Sequence, residues 1–260
     1  MRAVWKGTIS FGLVSIPIKM YPAIEPAEVK FHFLHKKCGT PLRYERHCPA
    51  CGVTVPWEET VRGFEYAKGR FVTLRPEELA LLPLKTTRTV DIQDFVALEE
   101  VDPIFFETPY FLAPAEGGER AYELLRRVLA TTRRAAIGKV AIRGKEHLVL
   151  IREYRGALAM STMYYPREIR SPESLIEVLK DVVVEKEELE LATQLIDRLT
   201  THFEPEKYKD EYRKALLELI RAKAEGRRIA VPASAEVAKA KSLMAALRAS
   251  VEAVKPHKKK

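Results

Sequence analysis

Cysteine is scarce in this chain of 260 residues, and all three cysteines lie within the 14 positions from Cys38 to Cys51. A chain of this length can bury a hydrophobic core without disulfide staples, which excludes the class of small disulfide-rich secreted domains. An odd number of cysteines is also typical of a reducing compartment. We therefore expect a cytoplasmic protein whose thiols have a purpose other than crosslinking the chain.

Long apolar runs and amide side chains are scarce as well. No segment approaches the roughly 18 consecutive apolar residues of a membrane-spanning helix. The first ten residues, MRAVWKGTIS, lack the charged-then-apolar pattern of a signal peptide. We therefore expect neither a membrane span nor secretion. Asparagine is absent and glutamine occurs only as Gln93 and Gln194, a bias that fits a thermophile or a GC-rich genome.

The common catalytic motifs are also missing. The sequence contains no GxxxxGK[ST] phosphate loop, no HExxH and no GxSxG. The acidic side chains Glu185, Glu187, Glu188 and Glu190 could bind Mg²⁺, but acidic residues at a helix start are ordinarily explained by the helix dipole. We therefore expect a protein that is not an enzyme.

Charge, in contrast, is abundant and unevenly distributed. The chain has 44 basic and 36 acidic residues, net +8. Residues 120–172 hold 12 basic and four acidic side chains, and residues 207–260 hold 15 and six, whereas residues 85–119 and 173–206 are net acidic. Basic blocks of this kind favour a defined polyanion-binding face, with nucleic acid as the polyanion, over solvated salt-bridged surfaces.

The first part of the chain shows the period-two pattern of β-strands. In GTISFGLVSIPIKMY the alternation changes phase beside Gly12, which predicts a bulge or bend. The segment FEYAKGRFVTL predicts a hairpin that turns at Lys68-Gly69. Residues 137–165 predict three strands joined at Gly144-Lys145 and at 154–156. Short strands at this spacing indicate a barrel or a sandwich.

Helical periodicity appears once within this β region and then dominates. A helix in ERAYELLRRVLATTRR is predicted to turn one face inward, made of Ala121, Leu124, Leu125, Val128 and Leu129. After a cap at Ser171, further helices are expected, one opened by Pro205 and closed by Gly226, and a last one capped by Ser234. The predicted fold class is α+β: a β-barrel core with an inserted helix, a C-terminal helical arm, and a tethered C-terminal helix with a basic tail.

The cysteine segment HKKCGTPLRYERHCPACG has the spacing of a zinc site. Cys48 and Cys51 are separated by two residues and followed by glycine, and His35 and Cys38 repeat that arrangement. Together these four side chains would complete a Cys₃His tetrahedron around a structural Zn²⁺. His32 and His47 compete for the fourth position. The alternative is a CxxC redox pair with a spare thiol.

Six sequence blocks resemble the bacterial non-homologous end-joining Ku family. They are WKGTISFGLVSIPIKMY, VRGFEYAKGRFV, LEEVDPIFF, YFLAP, AIGKVAIRGKEHLVLIR and ELATQLIDRLTTHFEPEKYKDEY, and they run in order from Trp5 to about Gly226. The resemblance implies a homodimer whose barrels and arms close into a ring around a double-stranded DNA end. It also implies a non-enzymatic, nucleoid-associated scaffold that recruits DNA ligase D in double-strand break repair. Cysteines in this loop are not a general feature of the family, so the zinc prediction depends on spacing alone.

The domain boundaries predicted on this basis are 1–185 for the barrel core, 186–226 for the dimerisation arm and 227–260 for the linker, last helix and tail. A scaffold that accepts any sequence should contact phosphates, for which Arg and Lys are suited. The main candidates for DNA binding are Arg133, Arg134, Lys139, Arg143, Lys145 and Arg152. Weaker candidates lie in the cysteine loop and the hairpin after it: Lys36, Lys37, Arg43, Lys68 and Arg70.

The C-terminal region carries two further predictions. The last helix has an apolar stripe that the resemblance assigns to ligase docking, with Leu243, Met244, Leu247 and Val251 as anchors. The tail, with Lys255, Lys258, Lys259 and Lys260, should strengthen DNA binding without reading bases. Two other function classes remain open: a zinc-dependent, sequence-specific DNA-binding regulator, and a Mg²⁺ nuclease that acts at DNA ends.

Overall fold

The computed structural model describes residues 1–75, 77–78, 88–227 and 242–254. The chain divides into two compact units, Met1–Arg170 and Ser171–Lys260. Residues 171–185 cluster with the helices that follow them, and the predicted domain boundaries at 185 and 226 stay predictions.

Eleven strands occur in the described residues, all of them in the first unit. In chain order they are β1 (Trp5–Phe11), β2 (Val14–Pro22), β3 (His47–Cys48), β4 (Val53–Thr54), β5 (Arg62–Ala67), β6 (Arg70–Leu74), β7 (Thr89–Ala97), β8 (Phe106–Pro114), β9 (Arg134–Ile142), β10 (Lys145–Tyr154) and β11 (Ala157–Met163).

The described α-helices number five, and one of them interrupts the strands. They are α1 (Glu119–Thr132), α2 (Glu173–Ile176), α3 (Lys186–Leu199), α4 (Glu211–Ala224) and α5 (Leu243–Ala253). None of these helices combines the length and the apolar character that a bilayer crossing requires.

Seven strands form a closed barrel in the order β1-β2-β8-β11-β10-β9-β7. Neighbouring strands are antiparallel except where β1 and β7 close the barrel in parallel, with Ile9 opposite Val90. Alternate residues point inward, so that Ile16, Ile18 and Met20 of β2 are fully or almost fully buried. The predicted barrel core and the α+β class are confirmed.

The change of phase beside Gly12 has a different cause from the predicted bulge. Gly12 and Leu13 form the turn of the β1–β2 hairpin, with Phe11 opposite Val14. Gly12 adopts φ = +57°, which glycine reaches without steric cost. The predicted bulge or bend between strand pieces is a hairpin turn, because a two-residue turn produces the same change of phase as a bulge.

Helix α1 packs a buried face against the barrel interior. Tyr122, Leu125 and Leu129 belong to the same buried cluster as the inward-facing strand residues. The predicted face was only partly right, because Leu124 and Val128 are 65% and 47% exposed. A tyrosine with a polar end is easily assigned to the solvent side, although burial is common when its hydroxyl finds partners.

The hydroxyl of Tyr122 joins α1 to two barrel strands. It donates a hydrogen bond to the Leu112 carbonyl at 2.6 Å and accepts one from the Leu158 N–H at 2.8 Å. Burial raises the pKa of this phenol, so the hydroxyl keeps its proton. The two backbone groups that it satisfies lie in residues at most 2% exposed.

Replacing Tyr122 by phenylalanine should therefore lower the free energy of unfolding by about 1–3 kcal/mol, because a buried N–H and C=O lose their partner. Urea denaturation followed by circular dichroism measures the change. Tyr44→Phe is the matched control, since Tyr44 is 85% exposed, and it should change stability by less than about 0.5 kcal/mol. Equal stabilities of the two variants would contradict this role for the hydroxyl.

A long insertion separates β2 from β7, and none of the described residues 23–75 in it is buried. It contains two small sheets, β3–β4 and β5–β6. The predicted hairpin of β5 and β6 is confirmed, with Lys68 and Gly69 in its turn. The insertion therefore has little hydrophobic core of its own in this chain.

The second unit is helical. Ser171 accepts the Glu173 N–H at 3.2 Å beside the start of α2, as predicted, whereas two later helices start elsewhere than predicted. Pro205 opens only a short 3-10 turn, and α4 begins after Asp210, whose carboxylate accepts the Arg213 N–H at 2.8 Å. A proline fits the start of either type of turn, so it could not identify the longer helix. Helix α5 begins after Ser242, which accepts the Ala245 N–H at 3.2 Å; Ser234 lies outside the described residues.

Candidate nucleic-acid interface

The β9–β10 hairpin and its flanks carry the six main candidates for DNA binding. Arg134 begins β9, Lys145 begins β10, and Ile142 pairs with Lys145 across the turn. A strand of nine residues is about 30 Å long, so the candidates separate into one group at the Arg134 end of the hairpin and a second group that runs from Lys139, in the middle of β9, to the turn. This separation is set by the strand register and is not visible in the charge count.

The first group surrounds a shallow surface groove. Arg133, Arg134 and Arg152 line it together with Glu99 and Glu153. Arg133 ends α1 in the left-handed conformation, at φ = +54°. Among the described residues, the guanidinium groups of Arg133 and Arg134 form no ion pair, which leaves them available to an external anion.

The second group lies near the β9–β10 turn and contains Lys139, Arg143 and Lys145. Lys139 is 3.8 Å from a carboxylate oxygen of Glu146, and Lys145 is 3.8 Å from one of Glu168. Ion pairs at such distances on a protein surface contribute little. Both lysines can therefore exchange these partners for phosphate.

Strand β10 is joined to β9 and to β11 by tight two-residue turns. In both turns an arginine adopts the left-handed backbone conformation. Arg143 and Gly144 connect β9 to β10, and Arg155 and Gly156 connect β10 to β11, with φ between +50° and +88°. The predicted turn at Gly144-Lys145 was displaced by one residue. Asparagine, aspartate or glycine normally fills the first such position, because a larger side chain is strained there. Strained residues of this kind cluster at functional sites.

Arg155 is a further basic residue of the candidate interface, and it was not among the residues predicted from the sequence. Its guanidinium carbon lies 5.5 Å from the centre of the Tyr154 ring, and that of Arg152 lies 5.0 Å from it. Tyr154 in turn stacks on Phe111 at 6.0 Å. The sequence does contain a signal for Arg155: an Arg-Gly pair stands between predicted strands twice, at Arg143-Gly144 and at Arg155-Gly156. Such pairs are ordinarily explained by turn formation alone.

Acidic side chains order the arginines near the first group. Glu123 accepts hydrogen bonds from Arg126 at 2.7 Å and from Arg127 at 2.6 Å. These bonds lower the pKa of Glu123 to about 2, so it stays ionised at any physiological pH. Arg126 and Arg127 are thereby engaged within the protein and are weaker candidates for phosphate contacts.

A pocket of mixed polar and apolar lining in the first unit lies next to the second group. Its lining includes Arg143, Lys145, His147, Glu107 and Thr162. Burial lowers the pKa of His147, which favours the neutral imidazole at pH 7 although Glu107 lies 3.9 Å away. The Thr162 hydroxyl donates to Glu107 at 3.0 Å and accepts the Thr108 N–H. Glu107, His147 and Thr162 thus interact with one another within the pocket.

The acidic cluster considered as a Mg²⁺ site has a structural explanation. Glu185 precedes α3, and its N–H donates to the Glu188 carboxylate at 3.1 Å in a capping arrangement. Within the residues that the structure describes, no three or more His, Cys, Asp or Glu side chains are gathered closely enough to hold a metal ion.

The weaker DNA-binding candidates all lie in the insertion and are exposed. Lys36, Lys37 and Arg43 belong to the cysteine segment, and Lys68 and Arg70 to the β5–β6 turn. In the cysteine segment itself, His35 Nδ1 lies 3.1 Å from Cys38 Sγ. All three thiols are free, and Cys48 and Cys51 interact as a second pair.

Helix α5 packs on α3 within the second unit. Of the predicted docking anchors, Val251 is buried, Met244 and Leu247 are partly covered, and Leu243 is 63% exposed. Arg198 of α3 donates to the carbonyls of Val251 and Val254. Arg248 adds an ion pair with Glu187 at 2.5 Å. The four lysines of the basic tail, Lys255 and Lys258 to Lys260, lie outside the described residues.

Comparison with known proteins finds a matching family and similar proteins that match almost the whole chain. The Ku70/Ku80 beta-barrel domain family matches residues 10–191. A protein of Heliobacterium modesticaldum named non-homologous end joining protein Ku is 47% identical over 261 residues, which cover 100% of this chain and 95% of the relative. Proteins of the same name from Archaeoglobus fulgidus and Bacillus subtilis are each 42% identical, covering 98% and 97% of this chain and 100% and 82% of their own lengths.

Proposed function

The chain belongs to the Ku family, and on that premise we propose that it binds ends of double-stranded DNA in break repair by non-homologous end joining. The observation that carries this proposal is the β9–β10 hairpin, which presents arginines and lysines in two groups. Arg143 and Arg155 are held in strained turns that glycine or asparagine would occupy more easily. A strained arginine in each turn is explained if its charge is required there.

The proposed contacts suit phosphates better than base edges. Arg134 and Arg143, one from each group, are separated by about 30 Å of strand, close to the roughly 34 Å of one turn of B-DNA. Groups with this spacing can meet phosphates one helical turn apart. Because phosphates are the same in every sequence, binding of this kind is independent of sequence.

A second copy of this chain is the partner that the surface favours. In the described part of the second unit only Val251 is buried. Large apolar side chains there are exposed, including Val183, Ile196, Phe203, Tyr208 and Tyr212. Apolar surface of this extent is typical of an interface. We propose a homodimer whose closed ring admits DNA only at an end.

The ligase proposal comes from the family resemblance and concerns α5. We propose that Leu243, Met244, Leu247 and Val251 dock DNA ligase D. Because three of these side chains pack within the second unit, α5 has to leave α3 before all four can serve as anchors. Leu243, which is exposed, is then the first point of contact.

A regulator and a nuclease remain the competing functions. A regulator would read base edges in the major groove, whereas the candidate residues here lie on hairpin turns and strand ends. A nuclease would need acidic groups for Mg²⁺, and the acidic cluster considered for that purpose caps a helix. We infer a scaffold that is not an enzyme, located where DNA is, in the cytoplasm at the nucleoid.

The deciding experiment compares linear and circular DNA of one sequence. A ring should bind the linear fragment in a gel shift, and an excess of the circularised fragment should compete poorly. Equal competition by the circle would overturn the ring, and sequence-dependent binding to both forms would favour a regulator. Shortening of labelled linear DNA in the presence of Mg²⁺ would instead indicate a nuclease.

A further inference from the structure

Two turns in the cysteine segment have the same backbone structure. The Gly39 N–H donates to the His35 carbonyl at 2.8 Å, and the Gly52 N–H donates to the Cys48 carbonyl at 2.9 Å. Gly39 and Gly52 both adopt φ = +69°, a value that other residues reach only with strain. Each turn thus closes by the same hydrogen bond around a glycine in the same conformation.

Each turn is also closed at its base by short antiparallel pairing. Leu34 bridges Pro41, and the Leu42 N–H donates to the Phe33 carbonyl at 2.8 Å. In the second turn, Cys48 pairs with Val53 and the Val55 N–H donates to the Arg46 carbonyl at 2.7 Å. The segment is therefore built as two small hairpins with one design.

The first and fourth positions of both turns hold side chains that bind zinc. In the first turn His35 Nδ1 lies 3.1 Å from Cys38 Sγ, about 0.5 Å less than the roughly 3.6 Å between an N and an S ligand on one tetrahedral Zn²⁺. In the second turn Cys48 and Cys51 occupy the same first and fourth positions, and both thiols are free. Each turn therefore supplies two side chains of the kinds that bind zinc.

The insertion needs a source of stability other than a hydrophobic core. None of the described residues 23–75 is buried, although the segment forms ordered hairpins. Small modules without a core are commonly held by disulfides or by a structural metal. The three cysteines are free thiols. A bound metal ion is therefore the remaining crosslink that histidine and cysteine side chains can form.

We propose that His35, Cys38, Cys48 and Cys51 bind one structural Zn²⁺ per chain. The described side chains lie as two pairs and are not gathered as a group of three or more. The ion would draw the two turns onto a shared tetrahedral centre. Binding converts three thiols to thiolates and releases their protons, and neutral His35 supplies the fourth ligand.

The competing histidines are placed less well. His47 precedes Cys48 directly on β3, and neighbouring strand residues point to opposite faces. His32 precedes the first turn and is not part of its closing hydrogen bonds. Because protein side chains would fill all four coordination positions of the ion, the site is structural and leaves no position for a reacting water. The proposal is independent of DNA binding.

Metal analysis of the full chain, purified without chelator and dialysed, tests the proposal. We expect about one zinc per chain, and less than about 0.2 after either Cys38→Ser or Cys51→Ser, because three ligands hold the ion much less tightly. His35→Gln should lose zinc in the same way. The matched controls His32→Gln and His47→Gln should retain it.

Two further readouts keep the proposal testable if a variant folds poorly. Cobalt added to the apoprotein should give the thiolate charge-transfer absorbance of a Cys₃His site. Removal of zinc by chelator should speed tryptic cleavage after Lys36, Lys37 and Arg43 while cleavage in the barrel stays unchanged. Absence of zinc from the wild-type chain, or a Cys48–Cys51 disulfide in its place, would overturn the proposal.

Discussion

The double variant Arg143→Asn, Arg155→Asn is expected to bind DNA ends at least about tenfold more weakly than the wild type while being more stable. The two effects have separate causes. Both arginines have left-handed backbones at φ = +53° and +50°. Asparagine tolerates that conformation better than a long side chain, so each substitution should add about 0.5–1 kcal/mol to the free energy of unfolding.

The loss of binding follows from phosphate contacts. Each contact that is removed should lower the dependence of log affinity on log salt by about 0.9. In a dimer, each of the two arginines of each subunit would contact one phosphate of its own, which makes four contacts. Their removal lowers the slope of log affinity against log salt by about 3.6. Gel shifts or fluorescence anisotropy across a series of salt concentrations measure this change, and thermal unfolding measures stability.

The matched control is Arg143→Lys, Arg155→Lys, which keeps both the charge and the strained backbone. It should bind DNA with nearly the wild-type salt slope and show no gain in stability. If the asparagine variant also keeps wild-type affinity and slope, these turns are not part of the DNA interface. If it binds weakly but gains no stability, the strain inferred at the two turns is wrong.

Much of the barrel could be predicted from the sequence because each strand carries its own signal. Alternating apolar residues identify β2, and the hairpins at 62–74 and 134–154 are short-range structures with a glycine in each turn. The closing parallel pair between β1 and β7 could not be predicted in this way. It joins residues about 80 positions apart, and nothing in the sequence of either strand specifies the partner.

The candidate interface was predictable in composition but not in arrangement. The excess of basic residues in 120–172 drew attention to the β9–β10 hairpin, and the DNA contacts proposed there stay a prediction. Its division into two groups depends on strand register, which moved the turn to Arg143-Gly144. Arg155 was overlooked because an arginine in a left-handed turn contradicts local preference, and such contradictions are expected at functional positions.

A chain truncated after Gly226 is expected to bind DNA ends but to stimulate DNA ligase D no longer. The truncation removes α5 with its four proposed anchors and leaves the β9–β10 hairpin intact. It also uncovers the face of α3 on which α5 packs, and Arg198 loses the carbonyls of Val251 and Val254. We therefore expect a small decrease in the thermal stability of the second unit.

Two variants of the full chain separate docking from packing. Arg198→Ala should release α5 from α3 without altering α5, so ligase stimulation should be kept or increased, and hydrogen exchange in 242–254 should accelerate. Leu243→Asp should reduce stimulation without accelerating exchange, because Leu243 is exposed while α5 is packed. Normal end joining by the truncated chain would exclude α5 as the docking site. Failure of that chain to dimerise would show that the dimer arm extends beyond residue 226.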